Sequence, residues 1–280
     1  YMTNFKMFVG TSEIPETYND KKVLDLDFKP TGKSYLFKDN NNKCVIHPVN
    51  ITQRDYQDSQ YCCTFNGTDQ YLQLGKNDLL NFGKDDFVLN FKIKPKFSSN
   101  SNHRFSRILA PRIDTVYGLK EYIMLPGENY SLPNYRGTVM VVIDEQAGLL
   151  MATPRLSEVE VNSVTLVRSG DLFSLYLNDI LTEEKTFIGD FNLNRYGETI
   201  IGASKSDTEI VSYLNATLYS IKILRNTTDL SLLENPDDHY EFNESFTLTN
   251  GVESVDIVTE ETNEHNIKFV SDTDKVTLKV

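Results

Sequence analysis

Flat aromatic rings beside amide and guanidinium groups are suited to holding sugars, because a pyranose rests its C–H face on a ring while its hydroxyls reach polar side chains. The segment 114–137, DTVYGLKEYIMLPGENYSLPNYRG, is the richest grouping of this kind, with Tyr117, Tyr130, Asn134, Tyr135 and Arg136. Tyr196, in RYGE, adds a sixth residue. A protein contact surface is the competing reading, since a chain with 15 tyrosines clusters some of them regardless of sugars.

Cleaving a sugar asks for more: two carboxyl groups about 5 to 9 Å apart, one as acid and one as nucleophile or base. The nearest pairs are Asp25 with Asp27, Asp144 with Glu145, and Glu158 with Glu160. Asp144 and Glu145 are adjacent and point to opposite sides of a strand, while the other two pairs are expected on wetted strand faces. His47, His103, His239 and His265 are scattered, and no GxSxG, C-x-x-C or H-x-x-x-H spacing occurs. No catalytic residue is assigned. Cys44, Cys62 and Cys63 are an odd set, and a strand turns Cys62 and Cys63 to opposite sides, so free, packed thiols are expected.

The elements that carry these residues have period two. In FVLNFKIKP, Phe87, Leu89, Phe91 and Ile93 alternate with more polar neighbours and Pro95 closes the run, which predicts one buried and one wetted face. The rhythm recurs over 138–144, 159–168, 172–179 and 216–225. Ser169-Gly170-Asp171 and Asn178-Asp179 supply tight reversals between these runs. The best helical candidate is the short TTDLSLLEN, with Thr227 or Thr228 as its cap. Many strands with almost no helix predict an all-β antiparallel sandwich or jelly roll.

The bulk numbers limit the partners. With 280 residues, 39% of them hydrophobic, the chain can bury a full core. Its 40 acidic and 28 basic side chains leave a formal charge of -12, which repels nucleic acid and anionic membranes. No apolar run of about 18 residues occurs, so no spanning helix is predicted.

CTFNGTDQYLQL (63–74) resembles an early hairpin of the laminin G-like, concanavalin A-like jelly-roll modules, through Phe65, Asn66, Gly67, Asp69, Tyr71, Leu72 and Leu74. Four further elements follow in that family's order: VLDLDF with KDNNN, FVLNFKIKP, VNSVTLVRSGDLFSLYLNDIL, and IIGASKS with LNATLYSIKIL. The family often carries Trp where Lys92 and Val161 stand, and this chain contains none, so Phe, Tyr and Leu are expected to refill the core. The resemblance implies a concanavalin A-like jelly roll over 23–238. Residues 1–22 would be a terminal strand or the tail of a preceding module, and 239–280 a β extension or the start of another. NFKMFVGTSEI (4–14) aligns with SIKILRNTTDL (220–230), in keeping with tandem modules or with extra β segments at both ends.

Jelly-roll modules of this kind often bind calcium at the rim, which singles out Asp69, Asp114 and Asp207 as oxygen donors. The superfamily's glycan-cleaving members carry a carboxylate pattern that is missing here. The resemblance therefore implies a non-catalytic lectin-like adhesion or assembly module, with a glycan-cleaving enzyme as the alternative. Its setting would be a surface-exposed protein, a virion appendage, tail fibre or bacterial adhesin. Its partners would be neighbouring structural chains, as an oligomer, and cell-surface glycans.

Overall fold

The computed structural model describes residues 21–26, 44, 46–51, 56–57, 62–97, 104–111, 121–143, 148–195, 197–205 and 209–233, with the backbone of four strands between 246 and 279. In chain order the first strands are β1 (Lys22–Leu26), β2 (Ile46–Val49), β3 (Tyr56–Gln57), β4 (Cys62–Asn66), β5 (Tyr71–Leu74), β6 (Asn81–Gly83), β7 (Phe87–Pro95) and β8 (Phe105–Pro111). There follow β9 (Glu121–Pro126), β10 (Met140–Ile143), β11 (Leu149–Ala152), β12 (Asn162–Ser169), β13 (Leu172–Leu177), β14 (Ile180–Thr186) and β15 (Phe191–Asn192). The sandwich closes with β16 (Thr199–Ile201), β17 (Ser204–Lys205), β18 (Ile210–Val211) and β19 (Asn215–Arg225).

Two antiparallel sheets face each other. The eight-stranded sheet runs β14-β13-β12-β7-β19-β4-β3, with β1 sharing the long β19 with β4. The seven-stranded sheet runs β11-β10-β9-β8-β16-β5-β2. Side chains from both, among them Phe65, Phe91, Ile108, Ile123, Leu166 and Ile201, enclose one apolar core. The protein is an all-β, two-sheet sandwich, as its alternation predicts. Within that core Phe82, Phe87, Phe173 and Phe191 pack together, with Phe87 stacked on Phe191 at 5.0 Å between ring centroids, while Lys92 and Val161 are exposed.

The chain divides into two compact units, Tyr1–Leu230 and Ser231–Val280. The sandwich belongs to the first. In the second, β20 (Phe246–Asn250) pairs with β21 (Glu253–Ile257), and β22 (Lys268–Asp272) with β23 (Lys275–Lys279). The N-terminal stretch 4–14 lies outside the described residues. No helix among the described residues is long and apolar enough to cross a membrane.

The turn chemistry follows expectation: Gly170, Asn178 and Asp179 all take positive φ, at 59°, 49° and 64°. All three cysteines are buried. Four details differ. The outer face of β7 is wetted only at Lys92 and, partly, Lys94, because β7 is a central strand whose Val88 and Asn90 are buried. There Asn90 donates to Thr165 Oγ1 at 2.8 Å. The run from 159 begins as a loop, because Asn162 donates to the Ser157 and Glu160 carbonyls and accepts from the Ser157 N–H, folding 157–160 into a turn. Asp25 is buried beside Lys22, at 2.7 Å, and does not sit on a wetted face. Finally, the helical candidate is a 3-10 turn, Leu230–Leu233, and Thr227 Oγ1 accepts from the Asp229 N–H upstream of it.

Candidate functional site at one rim of the sandwich

The segment 66–71 passes from β4 in one sheet to β5 in the other, so Asn66 and Tyr71 mark the same end of the sandwich. Register carries that end through both sheets. In the larger sheet Asn66 faces Asn215, Ala216 faces Pro95, Ile93 faces Asn162, and Val164 faces Leu177. In the smaller sheet Leu72 faces Ile201, Ile201 faces Leu109, Phe105 faces Pro126, and Met140 faces both Met124 and Ala152. The segments 67–70, 127–139, 153–161, 178–179, 202–205 and 209–214 therefore crowd one rim.

The loop 127–139 is held by its own backbone. Tyr130 N–H donates to the Gly127 carbonyl, a 3-10 turn covers Pro133–Tyr135, and Gly137 N–H returns to the Pro126 carbonyl at 2.8 Å. Gly137 has φ +71°, and a β-carbon there would lie 2.8 Å from Arg155 Nη1 and 2.9 Å from the Phe97 ring. The loop lays Tyr130 and Tyr135 against an apolar patch made by Ala110, Tyr122, Met124, Met140 and Val142, a second cluster apart from the main core. Asn134 is exposed and Arg136 half-buried, with Arg136 Nε donating to the Tyr130 carbonyl at 2.9 Å.

Register and loop thus bring together four of the six proposed ligand residues, Tyr130, Asn134, Tyr135 and Arg136. Tyr117 and Tyr196 lie outside the described residues. Sequence reasoning missed Phe105, which is 41% exposed and meets Tyr130 edge-on at 5.7 Å, and Arg104, whose guanidinium lies 4.8 Å from the Phe105 ring. It also missed Arg107, which is buried 4.0 Å over the Tyr122 ring. The readable signal was RFSR (104–107), three cationic or aromatic side chains in four residues of an acidic chain.

Asp69 also stands at this rim, built into the turn. Its side chain accepts from Asn66 Nδ2 at 2.7 Å, and from Thr68 Oγ1 and Asn50 Nδ2 at 3.3 and 3.5 Å. These donors hold the carboxylate in place within the turn. Asp114 and Asp207 lie outside the described residues, and among the described residues no three His, Cys, Asp or Glu side chains form a metal-holding group. Of the carboxylate pairs, Glu158 and Glu160 are exposed, and Glu158 accepts from the Phe97 N–H. Asp27, Asp144 and Glu145 lie outside the described residues, as do His103, His239 and His265; His47 is exposed.

Tyr213 packs near Tyr71 here, ring centroids 6.5 Å apart, and its hydroxyl is held above the ordinary tyrosine range, first by burial and then by Tyr71 and Asp69. The folded chain therefore keeps this proton longer than the unfolded one does. The resulting stability is present below about pH 10 and is lost as pH rises through the folded value. In a spectrophotometric titration, Tyr213→Phe is expected to remove a component of phenolate absorbance that rises above the bulk of the tyrosines; an unaltered high-pH limb would contradict this.

No protein-family model matches the chain, and no curated protein matches it either. Its fold is similar to solved structures of toxin binding domains. The binding domain of Paraclostridial Mosquitocidal Protein 1 is 17% identical, with a TM-score of 0.52, over 76% of this chain and 51% of that one. The botulinum neurotoxin serotype D binding domain is 11% identical, with a TM-score of 0.54, over 93% of this chain and 69% of that one. Botulinum neurotoxin type C, whose cell uptake depends upon interaction with two ganglioside molecules, is 11% identical, with a TM-score of 0.55, over 93% and 68%. The chain spans about half the length of the mosquitocidal binding domain. At these identities the likeness concerns the fold.

Proposed function

We propose that this chain is a non-catalytic binding module that engages cell-surface glycans through the rim formed by Phe105, Tyr130, Asn134, Tyr135 and Arg136. The observation that carries this reading is the half-exposed Phe105–Tyr130 pair, backed by a rigid loop that also presents an amide and a guanidinium. Aromatic faces with adjacent polar groups on a preformed scaffold match what saccharide recognition requires. The fold neighbours support it, since they are binding domains and one belongs to a toxin that depends on gangliosides.

The concanavalin A-like jelly-roll assignment, with a module over 23–238 flanked by 1–22 and 239–280, belongs to the same proposal. So does a role in adhesion or assembly as an oligomer with neighbouring chains. The neighbours favour an extracellular protein acting at a cell surface over the virion appendage or tail fibre suggested by sequence.

On a glycan array the chain is expected to retain a defined set of oligosaccharides, and Tyr130→Ala to weaken binding to them about tenfold or more. Circular dichroism keeps a folding defect separate from a binding defect. An array with no retained sugar, or a Tyr130→Ala variant with undiminished binding, contradicts the proposal.

A further inference from the structure

Four other arginines of the described sandwich are matched with carboxylates. Arg155 meets Glu128, Arg195 meets Glu121, Arg225 meets Asp85, and the buried Arg168 lies 4.0 Å from Asp171. In a chain of formal charge -12, that pairing is what an excess of acid produces unaided. Arg104 and Arg136 depart from it. Among the described residues neither meets a carboxylate, and Arg104 Nε is buried from water with no hydrogen-bond partner. Arg136 spends only its Nε, on the Tyr130 carbonyl.

The two are joined through continuous contacts. Arg104 lies over Phe105, Phe105 meets Tyr130 edge-on, and the Tyr130 carbonyl holds Arg136. Arg107 extends the row from beneath, its Nη1 donating to the Phe105 carbonyl at 2.9 Å while its guanidinium covers Tyr122. Leu132, 51% exposed, borders the same loop. Guanidinium groups present planar donor forks that suit carboxylate, sulfate and phosphate oxygens, and they keep their charge at any physiological pH. Arg104 over the Phe105 ring and Arg136 on the adjoining loop, neither meeting a carboxylate among the described residues while Glu128 of that loop is taken by Arg155, prepare a place for an anion attached to a flat apolar body.

We infer that Arg104 and Arg136 form an anion-reading subsite at the rim, so that the preferred ligand is a saccharide bearing an acidic group, a carboxylate or a sulfate ester. This rests on the glycan-binding reading above and narrows it: Phe105 and Tyr130 hold the sugar ring, and the two arginines set the charge it must carry. The chain's overall negative charge makes the selection local, because an anionic glycan gains nothing from the rest of the surface.

The test compares the full chain, by calorimetry, with three oligosaccharides of one backbone: carboxylate-bearing, sulfated and neutral. At least one acidic form is expected to bind about tenfold or more tightly than the neutral parent, and its affinity to fall as salt rises. Whichever acidic form wins identifies the anion. In Arg104→Gln and Arg136→Gln the ratio of acidic to neutral affinity is expected to fall toward one, and free sulfate to lose its power to compete. Because Arg136 also holds the loop, Arg104→Gln is the decisive variant. Equal affinity for charged and neutral forms, or a ratio unchanged in Arg104→Gln, overturns the inference and leaves glycan binding standing. Absence of binding to all three removes the glycan reading and the subsite together.

Discussion

Arg168→Met is expected to lower the unfolding free energy by about 2–4 kcal/mol. Arg168 lies on β12 on the same side as Val164 and Leu166, and its side chain is fully buried. Its Nε donates to the Gly170 carbonyl and its Nη1 to the Gly83 carbonyl, each at 2.7 Å, while its guanidinium lies 5.0 Å from the Phe173 ring. The side chain thus ties the β12–β13 turn to β6 at the end opposite the rim. Burial is the main influence on its charge and pulls its pKa below the ordinary value; Asp171, Asp190, Asp86 and Asp85 push the other way. Methionine fills similar space and leaves two carbonyls without their donor. The expected loss stays moderate because Nη2 makes no hydrogen bond, so the native site already carries a desolvation cost that the substitution relieves. Chemical denaturation reads the difference. A shift within about 0.5 kcal/mol would put this arginine among buried charges that an apolar side chain replaces freely.

A second large effect is expected at Gly202, which follows β16 at the rim. Its φ is +89°, and a β-carbon would sit 2.7 Å from two ring carbons of the fully buried Phe65. The backbone has little room to yield, since Gly202 N–H donates to the Ile108 carbonyl and its own carbonyl accepts from the Leu214 N–H. Gly202→Ala combines a left-handed backbone with overpacking, and together these are expected to destabilise the fold by about 2–4 kcal/mol. Adding Phe65→Leu opens space for the methyl group, so the double variant is expected to be more stable than the sum of the single losses implies. Strict additivity in that cycle would mean that the ring is not what the methyl group meets.

These sites also mark what could be read in the sequence. Period-two alternation and the Gly170 and Asn178-Asp179 reversals are local, so a strand or turn can be recognised from a few neighbouring residues, and the sandwich followed from them. Arg168 keeps the same alternation, two places after Leu166 on the inward side, but its charge hid it and the structure alone shows it buried. Sheet order was not legible. That β7 sits between β12 and β19, burying Val88 and Asn90 on its outer face, depends on pairings between distant segments. The same holds for the rim. Tyr130, Asn134, Tyr135 and Arg136 share one stretch and could be grouped by eye, whereas Phe105 and Arg104 reach them only because Phe105 pairs with Pro126. Asp25 misled for a different reason: its alternating position suggested solvent, and Lys22, three residues earlier, supplies the charge that lets it be buried.

The rim as a ligand surface is tested most directly by a crystal structure of the chain with an acidic oligosaccharide bound. A sugar ring is expected against Phe105 and Tyr130, with its acidic group within hydrogen-bonding reach of Arg104 and Arg136. A saccharide held instead at the opposite end, near Asp85 and Asp171, or within residues 231–280, with the rim arginines untouched, would contradict it.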